Sequence, residues 1–214
     1  MMKRGFMWLA SAMLAMLAMS GLAQADDEFK AGTDYTVLEQ QIKDPDTKGP
    51  YLLEYLWLGC SHCQAMNPLV KAFEESHPKV SIVRRPAVGN DRWVFDAHVF
   101  YALFSMGHGD LIYDIMEYYR SLARSERRLP DLADVKGYIA SKGIDPQQFE
   151  KMMDSDENLA RLSVAYRDQQ SFGLKGVPVF LVSGKYQIRF EALSKAKDPQ
   201  TRFTALVEYL LKQS

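Results

Sequence analysis

The sequence predicts an α/β fold. One sheet is assembled from a βαβ unit near the start and a ββα unit near the end, with an all-helical domain inserted between them. Three observations predict it. Tyr51–Leu58 is apolar almost throughout, and it leads through Gly59 into an amphipathic stretch and a second apolar run, Val80–Val83. From Asn90 to about Gly173 apolar residues recur at helical spacing. Strand signals then return at Val179–Val182 and Lys185–Ile188 around Ser183-Gly184, the pattern of a hairpin. Neither half alone supplies enough strands for a stable sheet, so the two halves are expected to pair.

In chain order the first element is an export signal. Lys3 and Arg4 precede an apolar run from Phe6 to Leu22, and Ala23-Gln24-Ala25 offers small residues to a signal peptidase. Residues 1–25 therefore read as a signal peptide cleaved after Ala25. Ser11, Ser20 and Gly21 interrupt the run, whereas a retained membrane anchor wants about 20 apolar residues. A short strand is expected at Tyr35–Leu38. Tyr51–Leu58 reads as a strand buried on both faces, which assigns Tyr51 and Tyr55 to the core and leaves Trp57 near its exit.

A helix from Cys60 to about Ser76 carries Met66, Leu69, Val70 and Phe73 on one side and contains Pro68, which bends a helix and frees a carbonyl. Pro78 ends it. About five helices follow: Trp93–Met106, Asp110–Arg124, one capped by Asp131 and ending at Gly143, one opened by Asp145-Pro146, and Asp156–Phe172. Arg124–Arg128 reads as a solvated loop. Asp198-Pro199 opens a last amphipathic helix with Phe203, Leu206, Tyr209 and Leu210. The expected division is residues 26–89 and 166–214 for the two parts of the sheet domain and 90–165 for the inserted helical domain.

Composition narrows the function classes. The chain has 214 residues and a formal net charge of −1, with no basic excess to hold nucleic acid. It has only two cysteines, Cys60 and Cys63. A bridge between them closes so small a loop that it stabilises little. A lone close pair in an oxidising compartment is therefore read as chemical rather than structural.

Cys60 stands where a buried strand meets a helix. The first N–H groups of a helix lack internal partners and its dipole end is positive, so a thiolate is favoured there. Cys63 lies one turn further on, placed to resolve a mixed disulfide. His62, between them, adds positive charge or a hydrogen bond. A stabilised reduced form makes a stronger oxidant, so the motif favours donation of disulfides over reduction. Glu54, an acid in an apolar strand, has two readings: a proton acceptor or tuning group beneath the cysteine pair, or an acid paired with a nearby Lys or Arg. Gly176-Val177-Pro178-Val179 opens the hairpin and has two readings: an ordinary trans proline on an edge strand, or a cis bond before Pro178 that would turn the Val177 backbone outward beside Cys60, where its N–H and C=O could hold an extended substrate as an added strand.

The order βαβ, helical block, ββα is a thioredoxin-like fold with an inserted all-helical domain. Glu54-Tyr55-Leu56-Trp57-Leu58-Gly59-Cys60-Ser61-His62-Cys63, with Pro68 and Gly176-Val177-Pro178, resembles the DsbA-like proteins of the bacterial periplasm, and Lys185-Tyr186 after Ser183-Gly184 resembles their hairpin. The resemblance implies a periplasmic disulfide donor to newly exported proteins, with Cys60 as the exposed nucleophile and Pro178 in the cis form. It implies no cofactor beyond the redox-active Cys60–Cys63 disulfide, and reoxidation by a DsbB-like, quinone-linked membrane partner. The family usually has proline between the first cysteine and the histidine. Ser61 stands there in this chain, keeping a backbone N–H and adding a hydroxyl that donates to the thiolate or merely relaxes the turn.

Two other readings compete. A reductase or isomerase of the same fold differs in the direction of exchange. A metal-binding module would hold its metal with Cys60, His62 and Cys63, but a zinc site wants four ligands, and His77, His98 and His108 show no ligand spacing; in a folding chaperone the cysteine pair would be incidental. The oligomeric state is left open by the sequence.

Overall fold

Tyr51–Leu56 forms strand β2, and all six of its residues are buried because it runs through the interior of a five-stranded sheet. The structure, a computed structural model, describes residues 29–214. The predicted signal peptide lies outside them. With β1 at Tyr35–Val37, β3 at Ser81–Pro86, β4 at Val179–Val182 and β5 at Tyr186–Ile188, the strand order is β1-β5-β4-β2-β3. Only β2 and β3 are parallel. The crossover between them is helix α1, Ser61–Ser76, which runs on through Pro68. The β4–β5 turn has positive φ at Ser183 (49°) and Gly184 (64°), as a two-residue hairpin requires. A Cβ at Gly184 would overlap the Ile42 carbonyl, so that position also needs glycine.

Strand alternation places Leu52, Glu54 and Leu56 on one face of β2 and Tyr51, Leu53 and Tyr55 on the other. Leu52 packs with Phe180 and Val182, with Val70 and Phe73 of α1, and with Phe203, Leu206 and Leu210 of α8, Pro199–Lys212. On the opposite face Tyr51, Leu53, Tyr55 and Leu181 surround Ile42.

Five α-helices form the inserted block: α2 Asp91–Ser105, α3 Ile112–Glu126, α4 Leu132–Ser141, α5 Pro146–Met153 and α6 Asp156–Ser171. The thioredoxin-like fold with a helical insertion is present. Asp131, Asp145 and Asp198 each accept backbone N–H bonds at the helix starts expected of them. The block's core includes Val99, Phe100, Leu103, Met116, Tyr119 and Ile139, and it is continuous with Leu56, Leu58, Cys60 and Cys63. The cysteine turn is thus packed against the insertion as well as against the sheet. Position 165/166 falls inside α6, so the two parts of the chain meet within a helix rather than at a loop.

Several boundaries differ from the sequence expectations. β2 stops at Leu56, and Trp57–Gly59 form the turn into α1. β3 reaches Pro86 because Arg84 and Arg85, which look unlike strand residues, find acidic partners on opposite faces. Arg124–Glu126 belong to α3 rather than to a loop, while Arg127 takes a left-handed conformation (φ 57°) and Arg128 pairs with Glu126 and Asp134. A one-turn helix α7, Phe190–Ser194, links the hairpin to α8. No helix among the described residues is long and apolar enough to cross a membrane.

β3 is an edge strand. Ser81 N–H donates to Pro50 C=O at 3.2 Å and Ala87 N–H to Leu56 C=O at 2.7 Å, so the odd-numbered residues face β2 and the even-numbered ones face outward.

Candidate active site

The chain leaves β2 and turns sharply into α1. Cys60 N–H donates to Trp57 C=O at 3.0 Å, and Cys60 C=O accepts the first helical bond from Gln64 N–H, also at 3.0 Å. Cys60 is the N-cap, with extended backbone angles, and its Sγ accepts from the Cys63 N–H at 3.3 Å. A cysteine here does what Ser or Asp does at an ordinary cap, with sulfur as acceptor. Gly59 is required by close approach: a Cβ there would lie 2.7 Å from Cζ2 of Trp57.

The two sulfurs are driven in opposite directions. The Cys63 side chain donating to the Cys60 sulfur, with the N–H groups of Cys63 and His62 and the His62 charge, lowers the Cys60 pKa to about 6 against the opposing effect of burial. Burial, then the neighbouring Cys60 sulfur, pushes Cys63 far upward. Both are free thiols in this structure. The expectation that Cys60 is exposed needs correction: it is 7% exposed, against 0% for Cys63. Cys60 is the more accessible of the two, but Leu58 and Val177 pack with it in the same apolar cluster.

Ser61 and His62 occupy the first two positions of α1 and are exposed. The Val177–Pro178 peptide is cis. Val177 C=O accepts from Cys60 Sγ at 3.4 Å, so the hairpin entrance lies directly against the motif, as the expected pairing geometry requires. Trp57 is half-buried; its Nε1 donates to Asp96 at 2.6 Å and its ring stacks on Trp93 at 5.4 Å between centroids.

Glu54 is fully buried, on the α1-facing side of β2. Its Oε2 lies 3.7 Å from Arg84 Nε, and neither carboxylate oxygen accepts a hydrogen bond from the described residues. Burial raises its pKa to about 7; Arg84 opposes the rise, and Glu74 and Cys60 add to it. The structure thus sets Glu54 opposite an arginine without a hydrogen bond between them, with Cys60 as the smallest of the electrostatic influences on it.

Sequence reasoning missed two buried polar groups. Gln64, directly after the motif, is 6% exposed and donates to the carbonyls of Leu58 and Met116. Asp96 is 1% exposed and accepts from Trp57, from Tyr119 Oη at 2.7 Å, and from Arg92 at 2.6 and 2.8 Å. The available signal for Asp96 was the one that flagged Glu54, an acid set among apolar neighbours, here Trp93, Val94, Phe95 and Ala97. Among the described residues no group of three or more His, Cys, Asp or Glu side chains is placed to hold a metal ion.

A dithiol at a strand-to-helix turn, opposed by a cis-proline hairpin on this sheet, defines a thioredoxin-like thiol:disulfide oxidoreductase. No protein-family model matches the chain. Among curated proteins it is similar to the thiol:disulfide interchange protein DsbA of Pseudomonas aeruginosa, with 27% identity over 206 residues covering 96% of this chain and 95% of that protein. DsbA of Pseudomonas syringae pv. tomato is also 27% identical, over 90% of this chain and 88% of its own length. The crystal structure of Pseudomonas aeruginosa DsbA matches with a TM-score of 0.73 and 26% identity, covering 88% of this chain and 95% of that one. DsbA of Xylella fastidiosa, at 18% identity, shares the fold with a TM-score of 0.72, over 86% of this chain and 96% of its own. The chain is a DsbA-like thiol:disulfide oxidoreductase.

Proposed function

We propose that the protein acts as an oxidant, donating the Cys60–Cys63 disulfide to pairs of thiols in exported proteins. The observation that carries the reading is the placement of Cys60 Sγ on the Cys63 N–H at the helix start, with Cys63 buried behind it. A thiolate held at about 6 is a good leaving group, and stabilising the reduced form favours its release.

In the first step a substrate thiolate attacks Cys60 Sγ. A substrate–Cys60 disulfide forms, the Cys60–Cys63 bond breaks, and Cys63 leaves with the electron pair. Cys63 is strongly basic as a thiolate, so it takes a proton; the buried Glu54 carboxyl, half-protonated near neutrality, is the group beneath the pair suited to supply it. In the second step the other substrate thiolate attacks its partner sulfur and expels Cys60 as a stabilised thiolate. The substrate is oxidised by two electrons and the cysteine pair is reduced by two.

Val177, Pro178 and Trp57 border this exchange. The Val177 backbone holds an extended substrate segment, and Pro178 and the half-buried Trp57 shape the approach. Ser61 and His62 tune the Cys60 thiolate from the exposed first turn. Residues 26–89 and 166–214 carry the exchange chemistry, and 90–165 form the inserted domain. Cleavage after Ala25 delivers the protein to the periplasm, where a DsbB-like, quinone-linked membrane oxidase restores the disulfide.

The test is a redox titration of the purified protein against glutathione, together with reaction of its oxidised form with a reduced peptide. The oxidised protein is expected to convert the peptide dithiol to a disulfide. Alkylation is expected to titrate Cys60 with a midpoint near 6 while Cys63 stays silent through neutrality. An equilibrium as reducing as that of a reductase, or a Cys60 midpoint near the ordinary thiol value, overturns the oxidant reading in favour of the reductase or isomerase.

A further inference from the structure

Gln64 follows Cys63 directly and takes no part in the exchange steps. Its Nε2 donates one hydrogen bond to Leu58 C=O at 3.1 Å and another to Met116 C=O at 3.0 Å. Leu58 is 1% exposed and sits two residues before Cys60, where the chain has left β2 and not yet entered α1. Met116 is fully buried on α3 of the inserted block. Leu58 and Met116 are apolar and buried, and the other polar side chain that reaches Met116 from α1, Asn67, meets only its sulfur, at 3.8 Å; an apolar side chain at position 64 would be the simpler filling. A buried carboxamide is retained only where its donors are used. Here both are used, and both on backbone, which ties the turn, the helix and the insertion at one point.

That point governs the geometry on which the Cys60 sulfur depends. The sulfur accepts from the Cys63 N–H at 3.3 Å, and such a bond weakens steeply as the first turn of the helix tilts or shifts. Nothing covalent fixes α1 to α3. We propose that Gln64 is a positioning residue that locks the first turn of α1 to the inserted block, so that the insertion, through this side chain, sets the oxidising strength of the cysteine pair. The inference rests on the oxidant reading above and adds to it the residue by which the helical domain acts on the chemistry.

Gln64→Met keeps the volume of the side chain and removes both donors. Gln64→Asn keeps the carboxamide and shortens its reach by one methylene. In the purified protein, three quantities are compared with the unsubstituted chain: the pH midpoint of Cys60 alkylation, the equilibrium with glutathione, and the melting temperature of the oxidised form. Gln64→Met is expected to raise the alkylation midpoint and to move the glutathione equilibrium about three- to tenfold toward the disulfide form, the equivalent of one hydrogen bond's support. Gln64→Asn is expected to move both in the same direction by less. A lowered melting temperature with an unmoved midpoint and equilibrium, or failure of both variants to fold, makes Gln64 a structural residue and overturns the inference. If the unsubstituted chain itself does not oxidise the peptide, it is the oxidant reading that fails.

Discussion

On the face of the sheet covered by α1, Arg84 comes no closer than 3.7 Å to the buried Glu54. On the opposite face its neighbour Arg85 is bonded to Lys43 C=O and Asp44, both at 3.1 Å, and to Asp168. The two arginines are adjacent on β3 and meet similar burial, yet one acid is left without a hydrogen bond and the other arginine is fully engaged. Arg84 also turns outward, to Glu74 at 2.9 Å and over the Tyr113 ring at 4.4 Å. The Arg85 cluster joins the segment before β2 to α6 and is an anchor. The Glu54 side keeps a carboxyl that burial raises toward neutrality, within electrostatic reach of Cys60. Burial without full pairing is what holds it there, since a well-bonded carboxylate is driven to low pKa.

Replacing Arg85 tests the anchor. Arg85→Met leaves the half-buried Asp44 and Asp168 without their cation, and the expected loss is about 2–3 kcal/mol, below the range for breaking a fully buried pair on one side. Denaturant unfolding reads it. The Cys60 alkylation midpoint should stay where it is, because Arg85 faces away from the motif; a moved midpoint would merge the two faces into one network.

Glu54 comes next. Its pKa rises from 4.5 to about 7 on folding, so between those values the folded chain binds more protons than the unfolded one. Stability from this group is present below pH 4.5 and is lost as pH rises through about 7, by about 3 kcal/mol in all. In the oxidised protein neither cysteine titrates, so this slope can be read there from unfolding at a series of pH values. Glu54→Gln is expected to abolish it, and a slope that persists would assign the titration to another group.

Arg84→Met has the smallest effect. Without the arginine Glu54 simply stays protonated to higher pH, and the other partner, Glu74, is largely solvated. The expected loss is about 1 kcal/mol at pH 5.5, the scale of an exposed pair with its ring contact. The Glu54 midpoint, followed by the same unfolding series, should rise. A loss as large as that of Arg85→Met would make both faces anchors.

The same contrast explains what the sequence disclosed. The apolar runs of β2 and β4, the Asp caps and the cysteine turn are local signals, each legible from a few adjacent residues. Arg84-Arg85 read as lying beyond the end of a strand because their partners are not adjacent in the chain: Asp44 and Asp168 for Arg85, Glu54 and Glu74 for Arg84. Gln64 and Asp96 were passed over for the same reason, since their meaning lies in the Leu58 and Met116 carbonyls and in Trp57, Arg92 and Tyr119. The burial of Cys60 was invisible too: it depends on Val177, brought against the turn only when the two halves of the sheet pair. α7 is one turn long and has no periodicity to read.

The outer margin of β3 has a further consequence. Its outward-facing positions are Ile82, Arg84 and Pro86, and the last has no N–H to offer. The opposite margin of the sheet, β1, is only three residues long. An extended segment looking for a strand to join finds outward N–H groups only at Ile82 and Arg84 along β3 and a three-residue strand at β1, which leaves it little purchase. Edge-to-edge joining of one sheet to another is thereby disfavoured at both margins.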